Sequence, residues 1–498
     1  MRNKNIVIVV AALSGWAIGL VPTVACARDY DVRDFGAKGD GATKNTEAIQ
    51  RAIERFRDRK LGLMMHFGLY SQVGIVESWP LSDKDAYWSR RELERDLSGE
   101  GFKEWYYDLN RSFNPVRFHP EDWAKAAVEG GFKYVIFTTK HHDGFCLYDT
   151  KETDYKTTAA SCPFAKNKNA DIVRSLFDAC CARGLGVTAY FSKVDWHNDD
   201  FWEDRGIGRV TDRRPTYDVK ADPAKWKRFC DFNRRQILEL VRGYGPIDAL
   251  WLDGGWINRS CGIEHDLPDV IAEARKVQLD LLAIDRHDPD GVCEDIATPE
   301  QTVPAKPLAR PWESCITMAA NWGYHYDDQY KDARTLIHLL VDVVAKGGNL
   351  ALNVGPMPDG RLPLPALERM KAMGVWLGKN GDAIYATRVR APYKKGSWAF
   401  TQSKDGRRTF AICLWNAGEF ECHTALVPKD EALPVPVKIV HLASGREIPF
   451  RSAANPALGE SGIVLDFPEG FVRDPSADAF EWFSPACMPG ARDSMKNR

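Results

Sequence analysis

Asp253 stands at the end of a short apolar run, Ala249–Leu252, and is followed by Gly254 and Gly255. A carboxylate there sits where the backbone turns sharply; the bland alternative is an Asp that caps the next helix. Glu313, with Trp312, precedes another apolar run, Cys315–Met318; its bland alternative is a surface Glu. Together they suggest a carboxylate pair, the equipment of glycoside hydrolysis. One member attacks the anomeric carbon or activates water, and the other protonates the leaving oxygen. Glu77 and Glu264 are the next candidates for the acid if Glu313 fails. His141 and His142 are adjacent, so on a strand their side chains point to opposite sides, a poor chelate. There is no HExxH, and neither a metal nor another cofactor is expected. Neutral imidazoles can instead bond sugar hydroxyls, with one of the pair satisfied in the core.

The elements that position these residues alternate. Runs of strand length at Leu61–Phe67, Tyr134–Thr139, Gly186–Phe191, Ala249–Leu252, Leu279–Ile284, Cys315–Met318 and Asn349–Val354 are separated by amphipathic helical stretches. That alternation implies a parallel sheet with helices outside, and its length favours a (β/α)8-like, TIM-like barrel over an open sheet. In such a barrel the active site forms where strands finish. Here His66, His141-His142, Tyr190, Trp251-Leu252-Asp253 and Asp285-Arg286 cluster at or near strand ends. From about residue 383 short strands separated by Gly, Asp, Asn and Pro turns predict an antiparallel β-sandwich.

The 498 residues carry 67 Lys+Arg against 69 Asp+Glu, with 44% hydrophobic and 27% charged residues. That balance excludes a disordered chain and, without a basic face, argues against nucleic-acid binding. The 16 Trp and 16 Tyr either pack a large core or present flat faces to sugars. Residues 1–27 read as a secretory signal peptide: Arg2 and Lys4, an apolar run, then Ala25-Cys26-Ala27. A secreted or periplasmic protein is therefore expected, with lipid anchoring at Cys26 the lesser alternative. No later stretch is long enough for a membrane span. Scattered cysteines without CxxC read as mostly buried thiols. The expected divisions are 1–27 signal peptide, 28–58 N-terminal segment, 59–382 barrel, 383–485 sandwich and 486–498 tail.

Two resemblances follow from particular stretches. YDVRDFGAKGDGATKN, at 30–45, resembles the opening of β-helix pectin-degrading enzymes, but no β-helix repeats follow. LGLMMHFGLYS, KHHDGFCLYDT, YGPIDALWLDGG, ATPEQTVP, PWESCITMAANWGY and NLALNVGPMPDG, within residues 61–388, resemble the α-L-fucosidases of glycoside hydrolase family 29. The resemblance implies a barrel, a C-terminal sandwich and retaining hydrolysis of terminal α-L-fucose from a fucosylated oligosaccharide or glycoconjugate. It implies Asp253 as nucleophile and Glu313 as acid/base. It further implies that His66, His141, His142, Tyr190, Trp251 and Arg286 bind fucose, with Trp79 or Trp88 supplying an aromatic after the first strand. An exo-galactosidase on the same barrel and a non-catalytic glycan-binding protein are the alternatives.

Overall fold

The computed structural model describes residues 46–93, 101–258, 262–286, 293–416, 418–455 and 460–484. The expected signal peptide, the pectinase-like stretch and the tail lie outside the described residues. Helix α1 (Thr46–Arg59) places Ala48, Ala52 and Phe56 on one buried face by their four-residue spacing. Ala52 and Phe56 join the inward-facing side chains of the strands, so this helix packs against the barrel interior. The Phe56 ring lies 5.5 Å from that of Tyr134.

Seven parallel strands follow: β1 (Leu61–Met65), β2 (Tyr134–Lys140), β3 (Gly186–Ser192), β4 (Ala249–Asp253), β5 (Leu282–Asp285), β6 (Glu313–Thr317) and β7 (Asn349–Val354). Their order, β5-β4-β3-β2-β1-β7-β6, is that of a curled barrel sheet. Every strand residue is buried. Alternate positions serve two cores, as in β1, where Leu61, Leu63 and Met65 face the helices and Met64 faces the interior. Gly62 also points inward, and a Cβ there would lie 2.3 Å from the Tyr134 ring that fills the space. Outside run α3 (Pro120–Glu129), α4 (Ile172–Ala182), α5 (Pro223–Gly243), α6 (Leu267–Val277), α7 (Ala333–Ala345) and α8 (Leu364–Asn380), with the short α2 (Phe102–Asp108) before them.

The barrel departs from eight strands at one seam. β5 and β6 do not pair. An irregular stretch spans the gap: Ile284 bridges Glu294 antiparallel, while Ala297 bridges Trp312 and Glu300 bridges Cys315 in parallel. It stands in for an eighth strand and carries Glu300 to the C-terminal mouth.

The C-terminal region is a two-layer sandwich. β8 (Thr387–Lys395), β9 (Trp398–Ser403), β10 (Thr409–Leu414), β12 (Lys438–His441) and β15 (Ala477–Phe483) form one sheet; β11 (Thr424–Pro428), β13 (Phe450–Asn455) and β14 (Glu460–Asp466) form the other. Phe400, Val427, Leu465 and Trp482 meet between them. It is tied to the barrel by Trp376 Nε1, which donates to the Ala477 carbonyl at 2.7 Å. Among the described residues no helix is long and apolar enough to cross a membrane, and most of the nine cysteines are buried.

Glu313 is the chief correction to the expected site. It is the first residue of β6, in register with Asn349, the first of β7. It therefore lies at the N-terminal end of the barrel, opposite the end where Asp253 finishes β4. It is fully buried and accepts a hydrogen bond from the Tyr134 hydroxyl, which in turn receives one from Asn349 Nδ2 at 3.4 Å. Burial pushes its carboxyl up to about 7 from an ordinary 4.5. The folded chain thus holds a proton that the unfolded chain has released. The contribution of Glu313 to stability falls as pH rises from 4.5 to about 7 and is constant above that. Glu313→Gln should flatten that slope in thermal melts recorded across the window. Glu77, raised to about 8 by its own burial, should leave a residual slope. A variant whose melting temperature declines as steeply as the parent's would show that Glu313 does not titrate there.

Candidate active site

The strand ends converge on a cavity of about 350 Å³ lined by Met64, His66, Glu77, Trp79, His141, Tyr190, Arg213, Trp251, Asp253, Gly255, Trp256, Arg286, Glu300 and Trp322. Asp253 closes β4, and the left-handed Gly254 (φ 99°) turns the chain away at once. Its Oδ1 accepts from Gly254 N at 2.8 Å and from Arg286 Nη1 at 3.1 Å; its Oδ2 accepts from the Tyr190 hydroxyl at 2.6 Å. Burial alone would raise its pKa, but Arg286, His142, Tyr190 and the Gly254 amide together hold it well below the carboxylate range. Asp253 is therefore an anion at every working pH.

Arg286 follows β5 directly and spans two carboxylates. Nη1 meets Asp253, while Nη2 meets Glu300 Oε2. Its Cζ lies 5.0 Å from the Trp251 ring centroid, and Trp251 stacks on Tyr190 with ring centroids 5.1 Å apart. The Glu300 side chain is 39% exposed, against 11% for that of Asp253, so Glu300 sits toward the mouth.

The three histidines are neutral. Burial lowers His66 and His142 to about 4 and His141 well below 6.5. Each has one nitrogen fixed. His66 Nδ1 faces Asn353 Oδ1 at 2.7 Å, His141 Nδ1 faces Ser78 Oγ at 2.6 Å and His142 Nδ1 faces Ser192 Oγ at 2.7 Å. The second nitrogens are left for a ligand, or for Asp253, whose Oδ2 lies 3.7 Å from His142 Nε2. The expectation of opposite directions for His141 and His142 fails. They follow the end of β2 rather than lying in it, and their rings sit 4.1 Å apart. Ligand atoms of His141, His142 and Asp253 fall within 4.8 Å of one another. Arg286 already occupies Asp253, and its positive charge opposes a cation there.

Trp79 lines the cavity, 5.3 Å from His142 and 5.3 Å from Trp256, with Arg213 over its ring at 4.9 Å. Trp88 does not; it is 50% exposed and belongs to the surface. Glu313 does not line the cavity either. The residues not foreseen there are Glu300, Arg213, Trp256 and Trp322. Glu300 and Trp322 lie inside the stretches ATPEQTVP and ITMAANWGY, so their family context was the available signal. Glu77 is 2% exposed, sits in the strained left-handed region (φ 34°) and accepts from Gly323 N at 2.7 Å.

A pocket open at the C-terminal mouth of a parallel barrel, with two carboxyl groups on one arginine and aromatic walls, has the make-up of a barrel glycoside hydrolase. The comparisons carry this further. A family model described as alpha-L-fucosidase matches residues 37–382. The chain belongs to the alpha-L-fucosidase family, glycoside hydrolase family 29, whose members are enzymes. An alpha-L-fucosidase of Branchiostoma floridae is 28% identical over 446 residues, 84% of this chain and 90% of that one. Plasma alpha-L-fucosidase of Rattus norvegicus is 28% identical over 347 residues, 67% of this chain and 70% of that one. Among solved structures, alpha-L-fucosidase isoenzyme 1 from Paenibacillus thiaminolyticus superposes with a TM-score of 0.70 at 28% identity, covering 88% of this chain and 99% of that one. The Thermotoga maritima alpha-fucosidase in complex with fucose gives 0.66 at 25% identity, covering 86% and 96%.

Proposed function

We propose that this glycoside hydrolase removes single terminal α-L-fucose residues with retention of configuration, Asp253 acting as nucleophile and Glu300 as acid/base, in a protein exported through its N-terminal signal. The observation that carries the reading is the Arg286 bridge. One guanidinium holding both carboxyl groups is compatible with the separation of about 5–5.5 Å that retention requires. An inverting pair would stand farther apart to admit water. A cavity of about 350 Å³ is at the small end for ligand sites and suits one sugar ring rather than a chain, which supports exo-action.

In the first step an Asp253 oxygen bonds to the anomeric carbon as the glycosidic C–O bond breaks. The proton of Glu300 passes to the leaving oxygen. In the second, ionised Glu300 takes a proton from water, whose oxygen displaces Asp253 and releases fucose. The donors converge on Asp253 and keep it anionic for attack. Glu300 is placed for the other role because the acid/base must reach both the leaving group and incoming water, which enter from the mouth. Glu77, deeper and held protonated near neutral pH by burial, offers a proton to a sugar hydroxyl. The neutral imidazoles of His66 and His141 do the same work as donors or acceptors.

A panel of aryl glycosides tests the substrate. Turnover should be confined to the α-L-fucoside, free L-fucose should inhibit competitively, and saturating fucose should raise the melting temperature. Faster turnover of a galactoside than of the fucoside would favour the exo-galactosidase reading. Proton NMR of the first-formed product should show α-L-fucose before mutarotation; a β product would overturn retention.

A further inference from the structure

We propose that Ser78, Ser192 and Asn353 are positioning residues that set the three histidines of the site in unlike tautomers, so that His66 and His142 offer the sugar an acceptor and His141 offers it a donor. This rests on the fucosidase reading above and states how that pocket sorts hydroxyl groups. A neutral imidazole carries one N–H, and the partner of one ring nitrogen decides what the other can do. Burial keeps all three rings neutral.

Asn353, on β7, settles His66. Its Nδ2 donates to the Trp322 carbonyl at 2.7 Å, so the atom it turns to His66 Nδ1, also at 2.7 Å, is its oxygen. An amide oxygen only accepts. His66 Nδ1 therefore carries the hydrogen, and Nε2 is left as a lone pair. Ser192, the last residue of β3, settles His142. Its single hydroxyl hydrogen has two neighbours at 2.7 Å, the Val194 carbonyl and His142 Nδ1. The carbonyl can only accept, so the hydrogen goes there. One oxygen lone pair takes the Val194 amide at 3.2 Å, and the other takes His142 Nδ1–H. His142 Nε2 is thus also a lone pair, 3.7 Å from Asp253 Oδ2. A sugar hydroxyl that meets it must donate.

Ser78, in the loop after β1, works in the opposite sense. Its oxygen accepts from the Asp143 amide at 3.2 Å, and its own hydrogen has His141 Nδ1 as acceptor at 2.6 Å. The Asp143 carboxylate beside it is engaged by the Tyr106 hydroxyl at 2.7 Å and the Phe145 amide at 3.0 Å. His141 Nδ1 is then the lone pair, and Nε2–H points outward as a donor. All three positioning side chains are buried, so water does not compete for these bonds. The opposite tautomer at any ring would set two donors or two acceptors against each other, a costly arrangement away from solvent.

Neutron diffraction from deuterium-exchanged crystals of the unliganded enzyme reads these hydrogens directly. Deuterium should appear on Nδ1 of His66, on Nδ1 of His142 and on Nε2 of His141; any of the three on the other nitrogen overturns the assignment. Ser78→Ala and Ser192→Ala should each raise KM for a nitrophenyl α-L-fucoside about tenfold with kcat changed less, because the freed ring can turn the wrong kind of nitrogen to the sugar. In nitrogen NMR of protein with isotope-labelled histidines, each variant should move a different ring from single-tautomer values to intermediate ones. A serine that only packs would leave those values unchanged; that result, or an unchanged KM, overturns the positioning role. A parent that hydrolyses no fucoside would instead defeat the fucosidase reading, while the neutron map and the spectra still report the tautomers.

Discussion

Replacing Asp253 with glycine should lower turnover of an aryl α-L-fucoside by about 10³-fold or more, because the bond it forms to the anomeric carbon has no substitute in the pocket. Tyr190, Arg286 and the Gly254 amide all donate to this one carboxylate. Removing it leaves those donors aimed at a small void between the arginine and the sugar. Azide, an anion of suitable size, should enter that void and restore part of the turnover. The product should be a fucosyl azide with configuration opposite to that of the substrate, since one displacement replaces two. Substrate binding should persist, measurable as competitive inhibition by L-fucose with little change, because His66, His141 and Trp251 remain. Turnover near the parent's, or rescue giving only free fucose, would remove Asp253 from the role.

The depressed pKa of Asp253 adds a pH signature. Its folded value lies below its unfolded one, so the stability it contributes is present above the unfolded pKa of 3.8 and is lost as pH falls below it. The catalytic anion thus persists through mildly acidic conditions, and loss of activity on the acidic side of neutrality cannot come from its titration.

The fold was legible because a parallel barrel is written in runs of apolar residues. Both faces of each strand are buried, so β1, β2, β3, β4 and β7 read as unbroken stretches. In the sandwich β8, β11 and β13 are harder to read, because edge strands such as Thr424–Pro428 alternate weakly and contain proline or charge, while the central β15 carries Asp478 and Glu481 within its apolar run. Asp253 was legible because it ends its strand and is followed by two glycines. Glu313 misled for a related reason. It begins its run, and in a parallel barrel the start of a strand is the wrong end. A carboxylate buried there, bonded to Tyr134, looks like an active-site acid in composition and differs from one only in direction along the strand. Glu300 was hidden because it lies in the irregular stretch that replaces an eighth strand, where neither period applies. Its bridge to Cys315 and its pairing with Arg286 are tertiary facts. Trp88 failed likewise, since its separation from Trp79 does not fix which of two rings turns inward.

The contrast between Glu300 and Glu313 yields the other large effect. An acid matters in proportion to how badly the leaving group needs its proton. Glu300→Ala should therefore cut kcat/KM by about 10²-fold or more on a fucosyl oligosaccharide, whose alkoxide leaves poorly. On an aryl fucoside with a nitrophenolate the loss in kcat/KM should be far smaller, because that group departs unaided. Deglycosylation still needs the base, so kcat should fall on both substrates and the covalent intermediate should accumulate, lowering the apparent KM. Mass spectrometry of the quenched variant should then find the chain heavier by one fucosyl group, on the peptide that contains Asp253. Azide should again accelerate release, this time with configuration retained, since the nucleophile is intact. Glu313→Gln, at the far end of the barrel, should change the two substrates equally and give no azide response. If Glu300→Ala shows equal small losses while Glu77→Ala shows the leaving-group dependence, the proton comes from the buried carboxyl beside Gly323, and Glu300 serves only to hold Arg286.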